Sequence, residues 1–447
     1  MYNKKMRWFY PSVAIGMFAT LLIALLIDYV PDTAQIFWST SMGMISFVIM
    51  LTLVMIAVRP KAIEQKLGLT EMYEVHAWMA MALPVTLLIH VTIRWSGLDR
   101  ILSLSISDAS ILGYVGLITL FFVMITGIFV LSDTLIKKSK KLMDLKQNYY
   151  KRNTHLWIHR LAIVSIIAIH FHVYEVYYLR DNIPFRVLTT GYTLFVLGWY
   201  AYYKIKTFRL PKYSVSSLTK PTSNIHQVEM QPADGEMMDY RPGQYGFFRF
   251  VDSEVTGEPH PFSISSARSA NENKIQIMVK EDGDFTSNLG KVKDGDKVTI
   301  EGPYGNFYPE EIEKNQDIPI VLLSGGIGVT PNFSVLRHEV AMKSDRRIVF
   351  IWGLAYEDDM MYIDELDKIA EEFPNFTYHL IFSEEEVEGY PYGFIDQDFM
   401  EDEGLDQFFE TAHFHVCGPP PMLEAAKGLL ADNGVGDDQA SIEEFAF

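Results

Sequence analysis

Apolar runs of about twenty residues recur through the first 212 residues of this chain and nowhere beyond them. They lie at about 8–30, 35–58, 73–95, 111–131, 155–178 and 187–208, each close to the ~20 residues a helix needs to cross a bilayer core. Six transmembrane helices are expected, so the chain is multi-pass in a cell membrane with the lipid bilayer as its first partner. The first run follows Lys4, Lys5 and Arg7 as a signal peptide would. It is long, however, and no small-residue cleavage site follows, so it is expected to stay as a span.

Beyond 212 the chemistry reverses. Residues 1–212 hold 22 Lys and Arg against 11 Asp and Glu, whereas residues 213–447 hold 16 against 45. A chain of 447 residues is too long for one core, and the charge shift divides it near 212. The acidic second half would repel phosphates, which excludes nucleic acid as a partner. Cys417 is the single cysteine, so an intramolecular disulfide and cysteine-based zinc or iron–sulfur sites are excluded. With six spans, the N-terminus, "RPKAIEQK" (59–66), "KKSKKLMDLKQNYYKR" (137–152) and "KIKTFRLPK" (204–212) fall on one side, and the mixed or acidic loops at 28–35, 94–110 and 177–186 on the other. Lys and Arg are retained inside. Both termini and the whole acidic half are therefore expected in the cytoplasm.

The third span, "EVHAWMAMALPVTLLIHVTIRW" (74–95), holds His76 and His90. Fourteen residues are a rise of about 21 Å and nearly four whole turns, so the two imidazoles share a face at two depths. The fifth span carries His155, His159, His170 and His172. Polar groups inside a bilayer are costly enough to imply function, and two helices offering imidazoles at two levels suit two bis-axially ligated haems. His155, near the interface, reads as an interhelical hydrogen bonder. On an ideal helix His170 is nearly in phase with His159 and His172 is well out of phase, unless a kink or π-bulge intervenes. Pro84 shows that a kink is conceivable in the third span too.

From 213 the texture changes to short alternating runs, "YGFFRF" (245–250), "KIQIMVK" (274–280) and "DKVTIEGPYG" (296–305), which read as an antiparallel barrel. From about 318 apolar strands such as "IPIVLLS" (318–324) and "RIVFIWG" (347–353) are each followed by a helical pattern, which implies a parallel α/β sheet. Three motifs sit at the seams. "HPFSISS" (260–266) places Phe262 to stack on a flat ring and Ser263 to bond its edge. "EDGDFTSNLG" (281–290) offers Gly283 and Thr286 for a pyrophosphate held on backbone N–H groups. "LLSGGIGVTP" (322–331) runs from a strand through a glycine turn into a helix, a dinucleotide cradle.

In this order the motifs resemble the ferredoxin–NADP reductase superfamily. Joined to six spans with paired histidines, the chain resembles the ferric reductase/NADPH oxidase family, in a compact prokaryotic form. The likeness covers nearly the whole chain, and its most specific elements are "HPFSISS", "GPYG" (302–305), "GGIGVTP" (325–331), "CGPPPM" (417–422) and the histidine pattern. It implies a multidomain chain: a six-helix transmembrane bis-haem domain at 1–212, an FAD-binding antiparallel β-barrel at 213–316 and an α/β parallel-sheet NAD(P)H domain at 317–447. His260, Pro261, Phe262 and Ser263 match the flavin motif, with Ser263 near the flavin N5. Gly283 and Thr286 match the element over the FAD phosphates. Gly325, Gly326, Gly328, Thr330 and Pro331 match the pyridine-nucleotide loop, and Cys417, Gly418 and Pro419 the segment beside the nicotinamide. Phe447, at the end of "EEFAF", matches an aromatic lid over the flavin ring. The family spacing of thirteen selects His159 and His172, so His76, His90, His159 and His172 become the expected ligands of two b-type haems.

The implied activity is a transmembrane NAD(P)H oxidase that forms superoxide from dioxygen on the outer side. A ferric-chelate reductase, or an electron-transfer protein serving a periplasmic partner, would use the same path. Two departures sharpen the expectation. "WGLAYEDDMMY" (352–362) and "FSEEEVEGY" (382–390) lack the Arg or Lys that would grip a 2′-phosphate, so NADH is expected to serve at least as well as NADPH. No calcium-binding "DxDxDG" loop occurs, and no regulatory subunit is expected. Arg94 pairs with a haem propionate, attracts an anionic product or snorkels to the interface. The basic loops at 59–66 and 137–152 are expected to dock the acidic half electrostatically.

Overall fold

The computed structural model describes residues 4–29, 33–95, 108–131, 152–176, 178–251, 253–255, 257–270, 273–283 and 285–444. They form two compact units: a helical unit of Lys4–Pro60 and Glu71–Phe208, and a module in which Lys61–Thr70 joins the chain from Arg209 onward.

The helical unit contains α1 (Phe9–Asp28) and α2 (Ala34–Ala57); α3 (Lys61–Leu67), next in the chain, belongs to the module. The helical unit continues with α4 (Leu69–Trp95, from Glu71), α5 (Asp108–Leu131), α6 (Arg152–His159), α7 (Leu161–Glu175) and α8 (Ile183–Thr207). Thr33 starts α2 by accepting the Ile36 N–H at 3.2 Å, and Asn182 starts α8 by accepting that of Phe185 at 3.0 Å. Inside the apolar helices, Ser46, Thr52, Thr119 and Thr189 return their hydroxyls to carbonyls four residues back, so none is left unsatisfied in an apolar setting. Met6–Asp28, Ala34–Ala57, Leu69–Arg94 and His155–Glu175 are long and apolar enough to cross a membrane. Of the six expected spans these are four. In the fourth run the apolar helix Ile111–Gly127 is shorter, and α8 dilutes its apolar residues with tyrosines and Lys204 and Lys206. Trp78, Leu88, Phe121 and Leu194 are exposed on these helices, a surface suited to an apolar surrounding.

Polar contacts zip neighbouring helices. Between α2 and α4, Gln35 donates to Ile93 O at 2.8 Å and Ser46 meets the Thr86 hydroxyl at 2.8 Å. Between α5 and α7, Ser165 donates to Gly116 O at 2.8 Å. Such bonds average only about 0.6 kcal/mol each in membranes, so they fix register more than they supply stability. The fifth apolar run is broken between α6 and α7 at Arg160, whose carbonyl accepts the Ile163 N–H at 3.1 Å in a tightened turn.

In the module a six-stranded antiparallel sheet has the order β4-β3-β6-β1-β2-β5. Its strands are β1 (Lys212–Thr222), β2 (Ile225–Pro232), β3 (Tyr245–Phe250), β4 (His260–Ser263), β5 (Ile275–Lys280) and β6 (Lys297–Tyr304). A bridge from Ile264 to Ile277 joins the two edges, and alternate residues such as Val215, Val228, Phe248 and Ile277 fill the interior. The α9 turn (Glu310–Lys314) leads to a five-stranded parallel sheet of order β11-β10-β7-β8-β9. These strands are β7 (Ile320–Gly325), β8 (Ile348–Leu354), β9 (Phe376–Phe382), β10 (His413–Cys417) and β11 (Ala440–Glu443).

Both faces of the parallel sheet are buried, which is why its strands are continuous apolar runs. Ile320, Leu322 and Phe350 pack beneath α10 (Val329–Met342) and α11 (Ile363–Glu372). Val321, Leu323 and Ile351 pack with Leu423 and Ala426 of α13 (Pro420–Asp432), with the short α12 (Gln397–Asp402) on the same side. The strand order reverses between β7 and β10, the position where such sheets take ligands.

Arg337 of α10 grips Glu365 with two bonds of 2.7 Å and donates to Ser265 O at 2.9 Å, while Ser334 donates to Ser266 O at 2.8 Å. This ties the parallel sheet to the end of β4. The segment 61–70 joins the module through the buried Glu64, Leu67 and Leu69. The basic loop at 137–152 lies almost wholly outside the described residues.

Candidate functional site

On the barrel, β4 lies antiparallel to β3, with Ser263 opposite Tyr245, Phe262 opposite Gly246 and Pro261 opposite Phe247. Ser263 is buried. Phe262 and His260 are nearly coplanar in orientation with Phe285: His260 lies 3.8 Å from Phe285 at 19°, and Phe262 lies 6.2 Å from it at 23°. The three rings lie parallel, with His260 stacked face to face on Phe285. Phe285 is not singled out by sequence reasoning, although an aromatic directly before Thr286 in "EDGDFTSNLG" is its signal. Gly283 adopts φ +111°, open to any approaching group. Thr286 uses its hydroxyl within the turn, accepting the Asp282 N–H at 2.7 Å and donating to Gly283 O at 3.3 Å. It shapes the loop.

The glycine turn meets the β10–α13 turn at the strand-order reversal. A Cβ on Gly328 would fall 2.4 Å from Cys417 O, and one on Gly325 would fall 2.1 Å from Met422 Sδ. Only glycine permits this approach. Thr330 donates to Ile327 O at 2.8 Å, Pro331 occupies the first turn of α10, and Gly326 O accepts the Trp352 indole N–H at 2.9 Å. Asn332, which the motif does not mark out, donates to Ser324 Oγ at 2.7 Å. Gly325, Gly326, Gly328, Thr330 and Pro331 are thus brought against Cys417, Gly418 and Pro419. Burial first, and Glu443 second, push the Cys417 thiol well above its ordinary range, so it stays protonated. Phe447 lies outside the described residues.

Beyond the C-terminal ends of β8 and β9, Tyr356, Glu357, Asp358, Asp359 and Glu385 line a cavity of 360 Å³ with Ser223 and Asn224. The Glu357 N–H donates to the Glu385 carboxylate at 2.9 Å.

In the helical unit, His76 and His159 face one another with ring centres 6.2 Å apart. Two imidazoles sharing one metal at bonds of about 2 Å would have ring centres roughly 6 Å apart. The backbone of α2 receives both α4 histidines: His90 Nδ1 donates to Ser39 O at 2.7 Å, and His76 bonds the Leu53 backbone. Fourteen residues along α4 are matched by fourteen along α2 in the opposite direction. His159 bonds the Val123 backbone of α5. Such a bond fixes the tautomer and leaves the other ring nitrogen for a ligand. His172 also faces α5, where a Cβ on Gly113 would lie 3.0 Å from its Nδ1, just as one on Gly43 would lie 3.0 Å from His90 Nδ1. His170 turns instead to α8, 3.2 Å from Thr193 Oγ1. The break at Arg160 supplies the phase change that lets His159 and His172 face one helix.

Residues 207–308 match the FAD-binding domain family, and residues 322–428 the oxidoreductase NAD-binding domain family. The second half is a ferredoxin reductase-like flavin and NAD(P)H oxidoreductase module. The reductase component of propane 2-monooxygenase from Rhodococcus jostii is 29% identical over 238 residues, 52% of this chain and 62% of that protein. A component of the Na(+)-translocating NADH-quinone reductase from Neisseria meningitidis is 34% identical over 169 residues, 36% of this chain and 40% of that protein. The chain thus spans less than two thirds of the length of these curated relatives. Among solved structures, flavohemoglobin from Malassezia yamatoensis aligns over 96% of this chain and 99% of its own at a TM-score of 0.50 and 16% identity, a likeness of fold.

Proposed function

We propose that this chain is a transmembrane NAD(P)H oxidase. It would oxidise NADH or NADPH on the cytoplasmic side and deliver single electrons to dioxygen on the outer side, forming superoxide. The observation that carries the reading is the facing pair His76 and His159, spaced for one shared metal and each bonded to a neighbouring helix backbone. The same pattern at His90, with Gly43 and Gly113 leaving room beside His90 and His172, supports a second ligand pair. The flavin would supply conversion of a two-electron hydride into single electrons, and the two b-type haems a one-electron path across the bilayer.

The chain's own residues bind and orient. Phe262, in its parallel set of rings with His260 and Phe285, would stack on the flavin, with Ser263 at its N5 edge and Gly283 and Thr286 shaping the phosphate turn. Gly325, Gly326, Gly328, Thr330 and Pro331 would hold the nucleotide, and Cys417, Gly418 and Pro419 would bound the nicotinamide. Phe447 would cover the flavin ring between turnovers. The carboxylates of Glu357, Asp358, Asp359 and Glu385 would repel a 2′-phosphate, which favours NADH.

A reduced-minus-oxidised spectrum of the purified chain tests the histidine reading: bis-imidazole b-type bands at two haems per chain are expected, and a colourless polypeptide supplied with ample haem overturns it. NADH-driven cytochrome c reduction should vanish on adding superoxide dismutase. Insensitivity to the dismutase, with activity only on ferric chelates, would make the chain a ferric reductase instead.

A further inference from the structure

Residues 61–70 are encoded between two apolar spans, yet they belong to the module. Within them α3 carries Glu64, whose side chain is wholly buried. A carboxylate survives such burial only when its oxygens are hydrogen-bonded. Both are: the Tyr245 hydroxyl donates to Oε1 at 2.6 Å, and the Gly305 backbone N–H donates to Oε2 at 3.1 Å. Leu69 closes the site with Tyr245, Phe247 and Tyr304 in one apolar cluster.

The partners are not arbitrary. Tyr245 is the cross-strand neighbour of Ser263 on β4, and Gly305 ends the "GPYG" turn with φ +88°, where a Cβ would lie 3.1 Å from both the Tyr245 ring and Glu443 Oε1. Six residues beyond Glu64, Thr70 donates to Glu444 O at 3.3 Å, so the same short segment also holds the root of the C-terminal tail. The helix that Leu69 and Thr70 begin carries His76 two turns on.

We propose that Glu64 is a positioning residue. It clasps the α2–α4 connection to β3, the strand paired with the flavin strand, and this clasp, rather than the basic charge of the loop, governs how fast electrons leave the module. The clasp lies beside the flavin strand and its segment continues in the chain as α4, so loosening it slows departure without touching nucleotide oxidation. The electron-departure part rests on the proposed function; the clasp does not.

The test uses the full chain in lipid nanodiscs with Glu64→Ala, Glu64→Gln, Tyr245→Phe, the Glu64→Ala/Tyr245→Phe double variant and a Lys66→Ala control. Three quantities are read: NADH–ferricyanide turnover with KM for NADH, the stopped-flow rate of NADH-driven haem reduction, and hydrogen exchange of residues 61–70. Glu64→Ala is expected to slow haem reduction at least tenfold and to raise exchange at 61–70, with ferricyanide turnover, KM and flavin content within twofold. Glu64→Gln, which keeps one acceptor, falls between. The double variant should be no worse than Glu64→Ala, as expected of residues acting through one contact. Lys66→Ala should leave all three unchanged. The proposal is overturned by undiminished protection of 61–70 in Glu64→Ala, by a parallel fall of both activities, or by a Lys66→Ala loss equal to that of Glu64→Ala. Absence of haem would sink the histidine reading alone, since hydrogen exchange and flavin content still decide the clasp.

Discussion

The two units hold their candidate site residues in different ways. In the module the glycine turn is over-determined: it is pressed against the β10–α13 turn, Thr330, Asn332 and Trp352 bond it from three directions, and Arg337 fixes the helix that follows it to the barrel. In the helical unit a histidine is aimed mainly by one bond to a neighbouring backbone, and register between antiparallel helices does the rest. A parallel sheet buried on both faces tolerates no loosening of its turns. A bundle of apolar helices keeps its register with a few weak polar contacts. Substitution should therefore be catastrophic in the first region and local in the second.

The largest effect is expected from Gly328→Val, whose side chain would collide with the Cys417 carbonyl: NADH–ferricyanide turnover should fall at least a hundredfold, while haem content of the same preparation stays intact. Loss of both together would mean that the two regions do not fail independently. Next, His76→Ala should halve the haem per chain in a pyridine haemochromogen assay and abolish NADH-driven cytochrome c reduction, yet leave ferricyanide turnover within twofold.

A smaller effect in the module depends on pH. Burial pushes the His413 imidazole of β10 down to about 4. The unfolded chain, with an ordinary value near 6.5, binds that proton first, so the stabilisation is complete above about pH 6.5 and is lost as pH falls towards 4. Roughly 3 kcal/mol is at stake for such a shift. Differential scanning calorimetry should show the module transition dropping across that window in the native chain, and dropping less in His413→Gln. The smallest effect concerns selectivity. Glu385→Lys should raise NADPH turnover relative to NADH about tenfold by replacing repulsion with attraction; an unchanged kcat/KM ratio would place the 2′-hydroxyl elsewhere.

Much of the module is legible in the sequence because its physics is local. "IPIVLLS" and "RIVFIWG" read as buried parallel strands from apolar continuity, and "GGIGVTP" as a turn from its glycines. The role of Phe285 is less visible, since one aromatic in a polar loop has no period. In the helical unit the fourteen-residue spacing of His76 and His90 is legible at once. The phase of His159 and His172 is not, because ideal-helix geometry carries no break at Arg160, and no Pro or Gly in the run marks one.

The amino-acid sequence alone determined the apolar helices, the barrel followed by a parallel sheet, and the order of the flavin and nucleotide motifs. Each follows from periodicity, charge or backbone chemistry within a short window. Tertiary structure alone decided that residues 61–70 belong to the module, that Glu64 bonds Tyr245 and Gly305, and that His172 rather than His170 faces α5. Those outcomes depend on which distant backbone can satisfy a buried polar group, and no local window contains that partner.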